Sequence, residues 1–221
     1  MKTELLAQLS KIILEYKKDF PVLVGIDGVD ASGKTTLAEN LARLIEEQSS
    51  RKVIRSSIDS FHNQREIRYK KGRSSPEGYY NDSFNYKALK ECLLNSLYSG
   101  ELKYKDAFFD YRIDKEVNVK EKTADKDAIL IMEGIFLFRP EIIDYWDIKI
   151  FLDVDFSEVI KRVTQREKDQ ESLGSKEEIM DQYEKRYIPG QNLYFKEANP
   201  KEKADIVINN NDYNNPIIIK G

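Results

Sequence analysis

The stretch Gly28-Val29-Asp30-Ala31-Ser32-Gly33-Lys34-Thr35 decides the fold. It follows the β-branched apolar run 22–26 and precedes a segment in which Leu37, Leu41, Leu44 and Ile45 recur at helical spacing up to about residue 48. A G-x-x-x-x-G-K-[ST] string between a strand and a helix is a phosphate-binding loop. Its glycines let the backbone curl so that successive N–H groups point inward, and the following helix adds the positive end of its dipole. In such a loop Lys34 reaches the β- and γ-phosphates and the Thr35 hydroxyl ligates magnesium. Residues 28–35, with Thr36 behind them, are therefore the expected nucleotide-binding set: Gly28, Val29, Asp30, Ala31, Ser32, Gly33, Lys34, Thr35 and Thr36.

Outward from the loop, strand and helix signals alternate. Residues 4–18 carry Leu5, Leu9, Ile12, Ile13 and Tyr16 on one helical face. Residues 53–58, 128–132, 148–154 and 205–208 read as further strands. A helix is expected around 85–98, a hairpin over 102–123, and two helices over 157–187 broken near Leu173-Gly174. Ser175 and Glu178 form a capping box that opens the second of these. The alternation predicts a parallel sheet covered on both faces, in an α/β fold.

Composition narrows the function classes. Hydrophobic residues make up 40% of 221, which is too much for a disordered chain. Lys and Arg total 36 against 39 Asp and Glu, so the basic excess of a duplex-coating protein is missing and no nucleic-acid partner is expected. No apolar run is long enough to span a bilayer, and the amino-terminal residues interleave acids with lysines, so no membrane partner and a cytoplasmic location are expected. One cysteine and one histidine exclude a zinc cluster built on several of either. A homo-oligomer is compatible with this sequence, which does not specify one.

A small-molecule kinase needs an acceptor base, a magnesium partner and cations over the transferred group. Asp59 ends the second strand, and in a parallel sheet that edge opens on the phosphate loop, so its carboxylate is the candidate base; a turn cap is the alternative. Glu133 ends the third strand on the same edge, as a magnesium ligand or a structural carboxylate. Arg162 and Arg166 lie four apart on the 157–187 segment, either on a lid closing over the triphosphate or on a solvated helix face. The segment 62–83 carries Arg65, Arg68, Lys70, Lys71 and Arg73, which suits a phosphate-bearing acceptor or an ordinary solvated loop. Arg186 is open between a functional contact and surface pairing to a carboxylate.

These residues resemble the uridine kinase and phosphoribulokinase family of P-loop kinases. The resemblance runs from about residue 22 to 210 and rests on the phosphate loop, Asp59-Ser60-Phe61, Asp82-Ser83-Phe84, Met132-Glu133-Gly134-Ile135, 162–167 and 204–208. It implies a P-loop NTPase, three-layer fold with a five-stranded parallel sheet, a small hairpin and a helical lid. One domain would span 1–221, with acceptor-binding insertions at about 62–84 and 102–123 and a lid at about 157–187. It implies ATP with Mg2+, and γ-phosphoryl transfer to a sugar hydroxyl, so that a nucleoside-like acceptor is expected. Asp59 would be the general base and Arg166 a lid arginine, with Arg162 and Lys34 completing the catalytic set. The acceptor-facing set would be Asp59, Phe61, His62, Arg68, Tyr79, Asp82, Phe109 and Arg112. Two departures bear on the acceptor. Pyrimidine nucleoside kinases carry an acid where this chain has Gly78-Tyr79-Tyr80-Asn81, and a hairpin histidine where it has Phe109-Asp110-Tyr111-Arg112. Phosphorylated sugars and vitamin-like alcohols therefore stay open as acceptors beside nucleosides, as does a regulatory protein that binds ATP without transferring phosphate.

Overall fold

All seven residues of Val22–Gly28 (β1) are buried, because β1 is flanked by strands on both edges and covered on both faces. The computed structural model describes residues 3–165 and 174–221. Around β1, the strands Val53–Ser57 (β2), Ile129–Glu133 (β3), Ile148–Asp153 (β4), Ile206–Asn209 (β5) and Ile217–Lys220 (β6) form one sheet in the order β6-β5-β4-β1-β3-β2. The first five named are parallel. The expected five-stranded parallel sheet is present, and a sixth strand, β6, is added antiparallel to β5 at the edge. Its run of three isoleucines was too short to separate from a buried turn by pattern alone.

Alternate residues of β1 feed two cores. Val22, Val24 and Ile26 pack with Thr3–Glu15 (α1) and Lys34–Gln48 (α2), whose Leu5, Leu9, Ile13, Leu37, Leu41 and Ile45 are buried. Leu23 faces the opposite layer, with Phe136, Phe138 and Trp146. Each fully buried Leu or Ile contributes about 1.5–3 kcal/mol relative to exposure, so α2, which carries the phosphate loop at its start, is anchored along its length.

Three further expectations are refined. The 62–83 segment contains helical turns at Arg65–Arg68 and Pro76–Asp82 (α3), the latter capped by the Ser75 hydroxyl accepting from the Gly78 N–H. The hairpin over 102–123 is two short ribbons: Lys103–Tyr104 with Lys122–Thr123, and Phe109–Asp110 with Lys115–Glu116. The 157–187 helices are Phe156–Gln165 (α4) and Lys176–Gln182 (α5), with the capping box present; residues 166–173, which include Arg166 and the Leu173 side of the expected break, lie outside the described residues. Beyond α5 the chain stays helical through a π-turn, Tyr183–Tyr187, into Ile188–Ala198 (α6). Pro189 falls inside this continuous run. It is tolerated in the first turn of α6, where the wider i→i+5 bond from the Ile188 N–H to the Tyr183 carbonyl has already re-phased the ladder.

Candidate active site

The phosphate loop leaves β1 through two glycines that other residues would replace at a cost. Gly28 has φ +151°, and a Cβ there would meet the Leu152 carbonyl oxygen. Gly33 has φ +96°, with the Asn210 amide 2.9 Å from where a Cβ would sit. The Lys34 ammonium lies along the loop, donating to the carbonyls of Val29 at 2.6 Å and Gly28 at 3.0 Å and to Ser32 Oγ at 3.3 Å. It is therefore pre-positioned at the loop before any anion arrives.

A cleft of about 620 Å³ opens over the loop. Asp30, Ala31, Ser32, Gly33, Lys34, Thr35 and Thr36 line one wall. Asp59, His62, Tyr111 and Glu133 line the other side. Asp59 stands in a 3-10 turn, Ile58–Phe61, directly after β2, and its N–H donates to Ser57 Oγ at 3.3 Å. Glu133, at the end of β3, is buried and hydrogen-bonded by the hydroxyls of Thr35 and Ser57. Burial holds its carboxyl above the usual range and the Asp59 charge pushes it the same way, against the Lys34 charge and the two hydroxyls. Four groups from three separate segments thus converge at the carboxyl edge of the sheet.

The donor set fits magnesium. Thr35 and Glu133 are hard oxygen donors in hydrogen-bond contact, and among the described residues no three His, Cys, Asp or Glu side chains form a cage. That pattern suits a cation held by few protein oxygens together with phosphate and water.

Other expected site residues go elsewhere. Val29 is buried among Val154, Val159, Val163, Ile179 and Tyr183, so it fastens the loop to α4 and α5. Phe61 is fully buried in the core and is not among the cleft-lining residues. Asp82 pairs with Lys71 at 2.9 Å and is not among the cleft-lining residues. Arg68 pairs with Asp114 at 3.0 Å, joining the 62–84 segment to the ribbons. Phe109 and Arg112 line a separate depression that also reaches Asp59, and Arg112 is held by Asp110 at 3.0 Å. Arg162 does not line the cleft: its guanidinium donates to the backbone carbonyls of Ala31, Asn210 and Asn211 and to Glu158. Arg186 meets neither alternative foreseen for it. It is buried and donates to the carbonyls of Arg68, Gly72, Arg73 and Ser75, a strut under the basic segment.

Tyr79 is mostly buried, but its hydroxyl reaches the loop, donating to Asp30 Oδ2 at 3.0 Å. Gln191 on α6 closes the same knot, with Nε2 3.3 Å from that oxygen and Oε1 accepting the Asp30 N–H at 3.1 Å. Sequence reasoning missed Gln191, and also Asp27. The latter is fully buried one residue before the loop and accepts from the N–H groups of Gly28 and Phe138 and from the Tyr194 hydroxyl. Burial raises its carboxyl to about 6, despite those donors and the Lys34 charge. A carboxylate in an otherwise apolar buried strand was the signal available for it.

Residues 23–215 match the model of the phosphoribulokinase / uridine kinase family. The chain belongs to that family. It is 27% identical over 194 residues to a uridine kinase from Lactobacillus helveticus, covering 87% of this chain and 88% of that one. It is 29% identical over 197 residues to a uridine kinase from Brevibacillus brevis, with 88% and 87% covered. Among solved structures, one described as a possible uridine kinase from Bacillus stearothermophilus superposes with a TM-score of 0.74 at 24% identity, covering 92% of this chain and 97% of that one. A D-glycerate 3-kinase from Cryptococcus neoformans superposes with a TM-score of 0.66 at 12% identity, covering 99% and 100%. These likenesses carry the fold, that of the P-loop kinases. The mostly parallel sheet with a phosphate loop after its central strand is that fold, and the family relationship makes the chain a kinase. Among the described residues no helix is long and apolar enough to cross a membrane.

Proposed function

We propose that this protein transfers the γ-phosphoryl group of ATP to a hydroxyl of an uncharged, nucleoside-like acceptor. One observation carries the reading: Lys34, Thr35, Glu133 and Asp59 face one cleft, in the arrangement phosphoryl transfer requires. The loop amides and Lys34 hold the triphosphate. Thr35 and Glu133 would hold magnesium, which when bound offsets phosphate charge. Asp59 accepts the acceptor hydroxyl's proton as the new O–P bond forms and the bond from phosphorus to the ADP oxygen breaks. The segment 157–187 serves as the lid over this site, with Arg166 its candidate cation; Arg162 acts indirectly, by holding Ala31 of the loop.

The neutrality of the acceptor is supported by where the cations go. Among the described residues lining the cleft, Lys34 is the one Lys or Arg, and it belongs to the phosphate loop. Arg68 and Lys71 of the basic segment are paired with Asp114 and Asp82, and Arg112, which borders the depression next to Asp59, is paired with Asp110. A phosphorylated acceptor would need a cation facing it on the Asp59 side.

The test is ADP formation with nucleosides, free sugars, sugar phosphates and vitamin precursors, each product identified by mass. Phosphorylation of an uncharged alcohol is expected. Product from phosphorylated acceptors alone would overturn the neutral-acceptor reading. Tight ATP binding with no product from any compound would favour a regulatory protein instead.

A further inference from the structure

Asp27 lies on β1 directly before Gly28 and is fully buried. Its Oδ1 accepts the Gly28 N–H at 2.7 Å, so the carboxyl group holds the first residue of the phosphate loop. Its Oδ2 accepts the Phe138 N–H at 3.2 Å and the Tyr194 hydroxyl of α6. These donors and the Lys34 charge favour the ion, yet burial outweighs them and raises the carboxyl to about 6. Lys34 acts on it from α2. Tyr194 and Tyr86 act on it from the opposite layer, with hydroxyls that burial keeps neutral at any working pH. Arg139, which also acts on Tyr86, is paired with Glu141 at 2.6 Å. Among the described residues Lys34 is thus the cation that favours a charged Asp27, and it is the residue whose charge a triphosphate claims.

We propose that Asp27 is a positioning residue of the phosphate loop that takes up a proton when the triphosphate binds. Several negative charges arrive at the loop, and the Lys34 ammonium turns to them. Both changes disfavour a carboxylate ion beside the loop's first residue, so a proton from solvent settles on the carboxyl group. The neutral group keeps a carbonyl oxygen for the Gly28 N–H, so the loop holds its shape while the opposing charge is removed. The inference rests on the reading of the loop as a triphosphate site and adds a proton linkage to it. Relative to a chain with a residue at 27 that cannot titrate, the protein binds nucleotide more tightly as pH falls.

Calorimetry tests it, with binding of the β,γ-imido analogue of ATP and Mg2+ measured in buffers of unlike ionisation enthalpy. The comparison is wild type against Asp27→Asn, whose amide oxygen still accepts from Gly28 but which cannot titrate. Ionisation of the nucleotide itself and of Glu133 is common to both proteins. A midpoint raised from about 6 to about 7 corresponds to about half a proton more taken up by wild type at about pH 6.5. The wild-type affinity, relative to the variant, should then fall about tenfold between about pH 5 and 8. A 13C-carboxyl titration, in which the resonance missing from Asp27→Asn identifies the group, should show its midpoint move upward on binding. Tyr194→Phe removes a donor to the carboxylate and should move the window of uptake to higher pH, which keeps the test open should Asp27→Asn fold poorly. Thermal melting of each variant verifies its fold. Equal proton uptake in wild type and Asp27→Asn, or a carboxyl midpoint that the analogue leaves in place, overturns the proposal and leaves Asp27 a structural residue. No binding of the analogue to wild type would instead sink the triphosphate reading, and this inference with it.

Discussion

The Tyr79 hydroxyl donates to the Asp30 carboxylate at 3.0 Å, so a residue of the basic segment is hydrogen-bonded to the phosphate loop 49 positions earlier. Gln191, on α6, holds the same carboxylate and the Asp30 amide. Through Asp30 the loop is thus tied both to α3 and to α6. The Tyr79 ring packs edge-on against Phe136 and Tyr187, and burial together with the Asp30 charge pushes its hydroxyl well above the usual range, so it stays a donor at any working pH.

Removing this donor tests the tie. Tyr79→Phe keeps the ring and loses one bond to a charged group, worth about 1.5–3 kcal/mol. The expected result is a lower denaturation midpoint and a KM for ATP raised about three- to tenfold. An unchanged KM for ATP, with only stability affected, would reduce the bond to packing.

Asp59→Asn separates binding from chemistry. The amide keeps the shape and removes the proton acceptor, so kcat should fall by at least about 100-fold while the ATP dissociation constant stays within about threefold. Calorimetry of ATP binding beside steady-state kinetics makes this comparison. Retention of most of the activity would remove Asp59 from the role of base.

Asp27 makes stability depend on pH in an unusual direction for a carboxylate. Burial raises its folded-state value to about 6, above that of the unfolded chain. Its protonation therefore favours the native state fully at pH below about 4, and this contribution is lost as pH rises through about 6. Asp27→Asn should flatten the stability profile between about pH 4 and 7 relative to wild type, as read from urea midpoints. A parallel, merely displaced profile would contradict the assignment.

Arg186→Ala leaves four carbonyls of the 68–75 segment without their shared donor. Loss of a buried charged donor predicts destabilisation of about 2–4 kcal/mol and faster proteolysis within 68–75. The segment carrying Tyr79 follows directly, so the KM for ATP should rise as it does in Tyr79→Phe, and no less than that for the acceptor. Protease mapping and paired KM values check both statements.

Much of the site was legible because its signals are local. Gly28 to Thr35 declares a phosphate loop by spacing, and Asp59 and Glu133 stand at strand ends, which parallel topology brings to one edge. The acceptor side was less legible. Phe61 and Asp82 looked like pocket residues, yet the first fills the core and the second binds Lys71. An aromatic or a carboxylate beside a strand end looks the same in sequence whether it turns inward or toward a ligand. Gln191 and Asp27 left little trace, since each meets a partner more than 100 residues away, Asp30 for the first and Phe138 for the second.

By itself the sequence determined the family and the layering of the sheet. Alternating strand and helix periodicities, and a glycine-bounded loop ending in Lys34 and Thr35, admit few arrangements, since each follows from residues within a few positions of one another. The tertiary structure alone decided what the long cations do. Arg162 and Arg186 read as surface or catalytic charges, but packing delivers both to backbone carbonyls, Arg162 to Ala31 from 131 positions away and Arg186 to Gly72 from 114. A flexible charged side chain takes whichever acceptors the fold leaves unsatisfied within its reach. The same holds for His62, whose Nδ1 lies 3.0 Å from the carbonyl oxygen of Ser83, 21 residues on.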